Sequence, residues 1–406
     1  MKCLNDFVLK LKNKEFAPLM LGGMGVDIST ADLAVAFANN GAIGHISDAL
    51  TTAVADKNFK TTFVRDRLKK FKFNKDNDDK NIEQFDLDDI RRAQKMHVKD
   101  AMSAKKGNGG IFINCMEKLT MNNPRDTLKA RLESALDAGI DGITLSAGLH
   151  MNSLNLIKNH PRFNDAILGI IVSSTRALKI FLKKAQIVSR LPDFIVVEGP
   201  KAGGHLGFGM DWADFNLKKI TQEVIDYLKN LKLSIPIIPA GGIFNGKQAV
   251  EYMNMGCSAV QVATRFTVSV ESGLPDKAKQ AYFTAKKEDI IVNYLSPTGY
   301  PMRMLKQSPV IGSGLAPNCE SYGYLLDKGR CSYIDSYNKT KSELKNPTDK
   351  VVVTDKMCIC TQMRKYNVWT CGVNTYKLKK TSKQDQNGNY ILPPAKEIID
   401  EYLYSK

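Results

Sequence analysis

The sequence predicts an α/β chain built on a TIM-type (β/α)8 barrel. Two observations lead there. Eight short apolar runs lie between the start and about residue 265, at 18–21, 42–46, 111–114, 142–145, 166–172, 194–198, 236–240 and 259–262. Each is bounded by Gly, Pro or polar residues, as fully buried parallel strands are. Segments of helical period alternate with them, and strict strand–helix alternation closes most simply into a barrel. A barrel takes roughly 250 residues, so a chain of 406 has material to spare. A doubly wound open sheet is the alternative, but its first turn would be Gly22-Gly23-Met24-Gly25, which lacks the spacing of a dinucleotide fingerprint.

In chain order, residues 1–14 carry Lys2, Lys10, Lys12 and Lys14 but no sustained apolar stretch, so no leader is expected. No run approaches the roughly 18 apolar residues of a membrane span. Together these predict a soluble cytoplasmic protein with no membrane partner. The first helix, 31–39, follows the cap candidates Ser29 and Thr30. The helix over 125–138 stops at Gly139, and that over 246–255 stops at Gly256. Residues 48–106 separate the second and third strands by far more than one crossover. They hold a charged run, 69–80, and a helical pattern over 88–105, and read as an insertion on the barrel rim. The predicted division is therefore a barrel over 1–270, carrying that insertion, and a helical, cysteine-containing extension over 271–406.

Composition narrows the function classes. Hydrophobic residues are 43% and charged residues 25%, an ordinary globular mix. Lys plus Arg is 58 against 42 for Asp plus Glu, a net charge of +16. The excess is spread along the chain, its largest share in about 56–106 and 276–406, with acidic residues interleaved and no compact basic run carrying aromatics. This argues against a nucleic-acid partner and for a Lys-rich solvated surface that favours anionic ligands. Eight cysteines are too few for a disulfide scaffold. Cys3, Cys115 and Cys257 are scattered. Cys319, Cys331, Cys358, Cys360 and Cys371 lie late in the chain, and their spacing matches no standard zinc or iron–sulfur pattern. No metal site is expected.

In a barrel, chemistry sits on the loops that follow the strands. The seventh and eighth runs lead into Ala240-Gly241-Gly242-Ile243 and Gln261-Val262-Ala263-Thr264-Arg265. Loops at these two positions commonly hold phosphate. Paired glycines let backbone N–H groups approach an anion, the Thr264 hydroxyl can donate, and Arg265 adds charge. The bland alternative is a tight turn and a surface arginine. The sixth run ends in Glu198, followed by Gly199-Pro200-Lys201-Ala202-Gly203-Gly204-His205. Glycines around a lone histidine let backbone pass close to a flat ligand while the imidazole enters the site. An ordinary His pKa of about 6.5 suits proton transfer near neutrality. A histidine that only bonds backbone is the alternative. A metal role is disfavoured because none of the five histidines forms a ligand-spaced pair with His205. Gly22-Gly23-Met24 after the first run reads as a turn. Asn114, at the end of the third, offers an amide to the polar edge of a ring. Ser146 and Ser173-Ser174 follow the fourth and fifth runs as small lining residues.

Residues 18–28, 197–208, 235–243 and 259–266 resemble the flavin-dependent nitronate monooxygenases, formerly 2-nitropropane dioxygenases. The related FMN-dependent enoyl-acyl-carrier-protein reductases share these motifs. The resemblance covers about 15–270 and extends through 296–303, similar to a Ser-Pro-x-Gly-x-Pro segment of some members. It implies FMN as cofactor, with Gly22, Gly23 and Met24 along the flavin and Asn114 and Glu198 at the ring or ribityl chain. Gly203, Gly204, Gly241, Gly242, Gln261, Ala263 and Thr264 would hold the remainder and the phosphate, and His205 would be the catalytic residue. Three positions depart from the family. Leu21 stands where relatives often carry Gln, Glu198 where many carry Gln, and Ala263 where Gly is usual, although alanine keeps its N–H. Glu198 would add negative charge beside the flavin and lower its reduction potential.

The resemblance implies a small-molecule substrate. In the first reading an alkyl nitronate passes an electron to oxidised FMN and oxygen then attacks, giving carbonyl product and nitrite, with His205 taking the α-proton of a neutral nitroalkane or holding the nitronate as imidazolium. In the second, NAD(P)H reduces FMN, hydride goes to the β-carbon of an enoyl thioester, and His205 protonates the α-carbon. The third is a flavin- or nucleotide-binding regulator without turnover, favoured only if His205 is dispensable. A homodimer is compatible with each.

Overall fold

The structure is a computed structural model that describes residues 2–74, 77, 82–117, 123–317, 319, 331–346 and 348–405. Eight parallel strands close into a barrel: β1 (Leu19–Leu21), β2 (Ile43–Ser47), β3 (Gly110–Met116), β4 (Gly142–Ser146), β5 (Ile167–Val172), β6 (Phe194–Glu198), β7 (Ile237–Ala240) and β8 (Val260–Val262). All eight coincide with the apolar runs. The reason is physical: strands buried on both faces need no polar alternation, and every residue of β1, β2, β4, β7 and β8 is buried.

Two layers of packing hold the barrel. Inside, Met20, Ile43, Phe112, Ile167, Phe194, Val196 and Ile238 form one cluster. Leu9, Leu11 and Phe16 join it from an antiparallel hairpin, Leu9–Leu11 with Lys14–Phe16, which plugs the N-terminal end. The Phe112 and Phe194 ring centres are 5.8 Å apart, and both side chains are fully buried. Truncating either to alanine should cost about 3–5 kcal/mol. His45 is also inside, satisfied by the Leu21 carbonyl at 2.5 Å and the Thr144 hydroxyl at 2.6 Å. Outside, the strands' other faces meet the helices in the main core. Capping sets where those helices begin. Thr30 accepts from Leu33 N, Asp86 from Asp88 N and Asp89 N, Ser174 from Ala177 N, Asn216 from Lys218 N, and Asn245 from Gln248 N.

Two parts of the expected layout change. Within 48–106, the helix Leu87–Ala104 packs against Ala31–Asn39 and Pro124–Asp137, so it is the crossover helix between β2 and β3. The additional material is narrower, with helices Thr51–Phe59 and Phe63–Lys70. Part of the charged 69–80 run lies outside the described residues. The other change is at the end of the chain. Helix Ala395–Tyr404 packs on Ala31–Asn39 and Gly246–Asn254, and its Ile398, Ile399, Tyr402 and Leu403 enter the barrel's outer core. The last helix of the 271–406 stretch thus fills the barrel's eighth helical position.

Between β8 and that helix the chain forms helix Asp276–Thr284, strands Ile290–Asn293 and Met302–Leu305, helices Ser332–Ser342 and Ile359–Arg364, and a 3-10 helix Val373–Lys380. Strand Met302–Leu305 pairs antiparallel with Gly204–His205, which ties this stretch to the loop after β6. Among the described residues no cysteine forms a disulfide. Among the described residues no group of three His, Cys, Asp or Glu could hold a metal ion, and no helix is long and apolar enough to cross a membrane.

Candidate active site

Register brings the predicted residues to one end of the barrel. Ala240 pairs with Glu198 on one side and Gln261 on the other, so these three strand ends stand side by side. Asn114 lies between Ser47 and Thr144 at the same end. Gly22 N donates to Val262 O at 2.7 Å, joining the loop after β1 to the end of β8. A side chain at Gly23 would lie 2.3 Å from Asn114 Cβ, so only glycine lets this backbone rest on the asparagine. The Asn114 carboxamide is buried, and its Oδ1 accepts from Ser146 Oγ. Ser146, expected only to line the site, therefore fixes the amide's orientation. Met24 is held by Ser29, whose hydroxyl accepts from Met24 N at 2.9 Å. Ser174 serves as the cap of helix Thr175–Ile187, and Ser173 lies beneath Gly207.

The loop after β6 is held from a distance. The guanidinium of Arg303, buried, donates from Nη1 to the carbonyls of Pro200, at 2.8 Å, and Ala202, and stacks 4.3 Å from the Trp212 ring centre. Gly204 adopts φ +75°, which glycine alone tolerates well, and turns the chain into the short pairing with Met302–Leu305. His205 follows, its Nε2 2.7 Å from Ser296 Oγ. Ser296 is fully buried, and its hydroxyl meets Thr298 Oγ1 at 2.7 Å. Burial pushes the His205 imidazole down to about 4. This favours the neutral ring at neutral pH. Burial also pushes the Glu198 carboxyl up to about 7, against the pull of the Arg303 guanidinium. Glu198 carries a partial charge at neutral pH, weaker than the full negative charge expected from its residue type.

The seventh and eighth loops form the far end. Gly241 and Gly242 have φ of +98° and +89°. A side chain at Gly241 would lie 3.1 Å from Ala202 N, and one at Gly242 2.9 Å from Lys201 Cβ. This glycine pair therefore packs on the loop that carries His205. Gln261 is buried and its Oε1 has no partner among the described residues. Ala263 packs on Gly22, where a side chain on the glycine would be 3.3 Å from its Cβ.

Arg265 does not supply charge here. It is 4% exposed, ion-paired with Glu401 and set between the rings of Phe244 and Tyr402, at 5.8 and 5.9 Å. Tyr402 and Glu401 sit on the returning last helix, which no local pattern could reveal. The cation beside Gly242 is instead Lys201, whose stem lies along the glycine. Sequence reasoning also missed the roles of Ser296 and Arg303, which lie in the 296–303 segment, and the contacts of Gly372 and Asn374. Their only signal was membership of a distant segment, because a pairing across 91 residues leaves no local trace.

Residues 8–320 match the family described as nitronate monooxygenase. Over 116 residues the chain is 31% identical to a probable nitronate monooxygenase of Staphylococcus saprophyticus, covering 27% of this chain and 31% of that one. The matched stretch thus spans about a third of that relative's length. Among solved structures, a nitroalkane oxidase from Streptomyces ansochromogenes aligns over 95% of this chain and 94% of its own, with TM-score 0.58 and 15% identity. FabK from Thermotoga maritima aligns over 95% and 91%, with TM-score 0.55 and 17% identity. These two likenesses show the barrel fold.

Proposed function

Because the chain belongs to the nitronate monooxygenase family, we propose that it is an FMN-dependent oxidoreductase that oxidises alkyl nitronates with oxygen to carbonyl product and nitrite. The observation that carries the reading is the meeting of a half-buried, neutral histidine with two glycine-rich loops at one barrel mouth. His205 and the Gly241-Gly242 pair are joined through Lys201 and Ala202.

The residues present fit a flavin. The orphaned Gln261 Oε1 suits a ring or ribityl donor. Gly241 and Gly242, with backbone turned into the left-handed region, suit a phosphate cradled by N–H groups. In this reading Gly22, Gly23 and Met24 run along the ring, Asn114 and Glu198 contact the ring or ribityl chain, and Gly203, Gly204, Gly241, Gly242, Gln261, Ala263 and Thr264 hold the remainder. The bound flavin supplies the electron acceptor. The protein's own part is positioning and proton handling. Neutral His205 accepts the α-proton of a nitroalkane, or donates N–H to a nitronate oxygen, and Ser296 fixes the ring's plane. A Glu198 carboxyl with pKa about 7 tolerates an anionic substrate better than a fully ionised one.

His205→Asn tests the reading. It should retain its flavin and lose nitrite release by at least about 100-fold, the usual contribution of a positioned acid/base group. A fully active variant would remove His205 from catalysis.

A further inference from the structure

We infer that the pocket between helices Thr51–Phe59 and Phe63–Lys70 and the start of Leu87–Ala104 is a binding site for a small zwitterion, an α-amino acid with an apolar side chain. It lies in the additional material after β2, and no residue of the barrel-mouth site lines it.

The pocket measures about 140 Å3, far more than one ordered water fills. Phe63, Val64 and Phe85, all buried, form its apolar wall. Its charged lining divides into two signs. Arg67 and Lys70 bring cations, and Asp66, Asp86 and Asp89 bring carboxylates.

The cationic side is built around Arg67, whose side chain is 8% exposed. Its Nη2 donates to Glu83 Oε2 at 2.8 Å, and its Nη1 to Cys319 O at 2.6 Å. Glu83 is itself held by Asn74 Nδ2 at 2.9 Å. The guanidinium lies 3.9 Å from the Phe85 ring centre, so it is fixed against the wall. Its Nε is buried and has no partner among the described residues. A buried donor left without an acceptor is costly, so this N–H calls for an acceptor on the occupant, and a carboxylate is the strongest one. Lys70 adds an exposed charge at the rim.

The acidic side calls for the opposite group. Asp86 caps helix Leu87–Ala104, its Oδ1 accepting from Asp88 N and Asp89 N. Asp89 has a distant ion pair, with Arg92 Nη1 at 3.7 Å. Burial first, then the charges of Asp86, Asp66 and Asp56, hold the Asp89 carboxyl above its ordinary value against the pull of Arg92. An ammonium group among these carboxylates relieves the crowding. A plain amine would leave Arg67 Nε unmatched, and a plain carboxylate would face three others. A zwitterion answers both poles, with its apolar side chain on the wall of Phe63, Val64 and Phe85.

Calorimetric titration of the purified protein tests this. The ligands are L-leucine, 3-methylbutylamine, which is leucine without its carboxylate, and 4-methylpentanoate, which is leucine without its ammonium. Leucine is also titrated into Asp89→Asn and Lys70→Met, with thermal midpoints confirming that each variant is folded. Wild type should bind leucine one to one, at least about tenfold more tightly than either fragment. Asp89→Asn should weaken leucine at least about fivefold and Lys70→Met at least about threefold. Absence of leucine binding at about 10 mM overturns the inference. So does an amine that binds as tightly as leucine, which would make the pocket a site for organic cations. Leucine affinity unchanged in either variant overturns it as well, because the ligand would then sit elsewhere.

Discussion

The imidazole Nε2 of His205 lies 2.7 Å from the hydroxyl of Ser296, a serine with no exposed surface. The two meet because Gly204–His205 pairs with Met302–Leu305, which brings the 296–303 turn over the loop after β6. The histidine's orientation is thus set by a partner from outside the barrel strands.

Ser296→Ala removes that partner and keeps the volume. The ring then loses its fixed plane, and kcat should fall about 10-fold at unchanged flavin content. The double variant Ser296→Ala/His205→Asn should be no slower than His205→Asn alone, as for groups acting as one unit. Additive losses in the steady-state rates would mean that Ser296 acts elsewhere.

The raised Glu198 carboxyl predicts a pH-dependent stability. Its pKa moves from an ordinary 4.5 to about 7 on folding, so between these values the folded state binds more protons than the unfolded one. Stability from this group is therefore lost as pH rises through that window. Glu198→Gln removes the loss, gaining of order 1–3 kcal/mol at pH 8 and little at pH 4.5. His205 runs the opposite way. Its pKa is lowered to about 4, so its stability cost grows as pH drops from 6.5 toward 4 and is the same in both proteins. Thermal midpoints at pH 5 and pH 8 decide the matter; an equal gain at both would contradict the assignment.

Gly242→Val combines two faults. The residue sits at φ +89°, and any side chain would lie 2.9 Å from Lys201 Cβ. A β-branched residue there should displace the turn, and the purified variant should lose its 450 nm flavin absorbance. A variant with a full complement of flavin would move the phosphate elsewhere.

Arg265→Met separates charge from packing. Since Arg265 pairs with Glu401 between two rings, its removal should cost about 1–3 kcal/mol of stability and leave FMN affinity within about twofold. A tenfold loss of affinity with unchanged thermal midpoint would restore Arg265 to the phosphate.

The barrel was legible because each strand is a short apolar run ended by small or polar residues, and the loops bearing Gly23, Asn114, Glu198 and Gly241 follow directly. What was hidden depends on contacts distant in the chain. Leu87–Ala104 had a visible helical pattern, but nothing local says that it packs beside Ala31–Asn39 rather than on a rim. The last helix is separated from β8 by a long excursion, so neither its place in the barrel nor its capture of Arg265 could be read. The titration of Glu198 and His205 likewise depends on burial, which residue type alone does not reveal.

The most direct test of the central claim is an anaerobic visible spectrum of the flavin-loaded protein before and after propionate 3-nitronate, without NAD(P)H. Direct electron transfer from nitronate predicts bleaching of the flavin band within the mixing time of a turnover, and recovery when oxygen is admitted. A flavin that ignores the nitronate but is reduced by NAD(P)H would contradict the account and point to enoyl-thioester or quinone reduction.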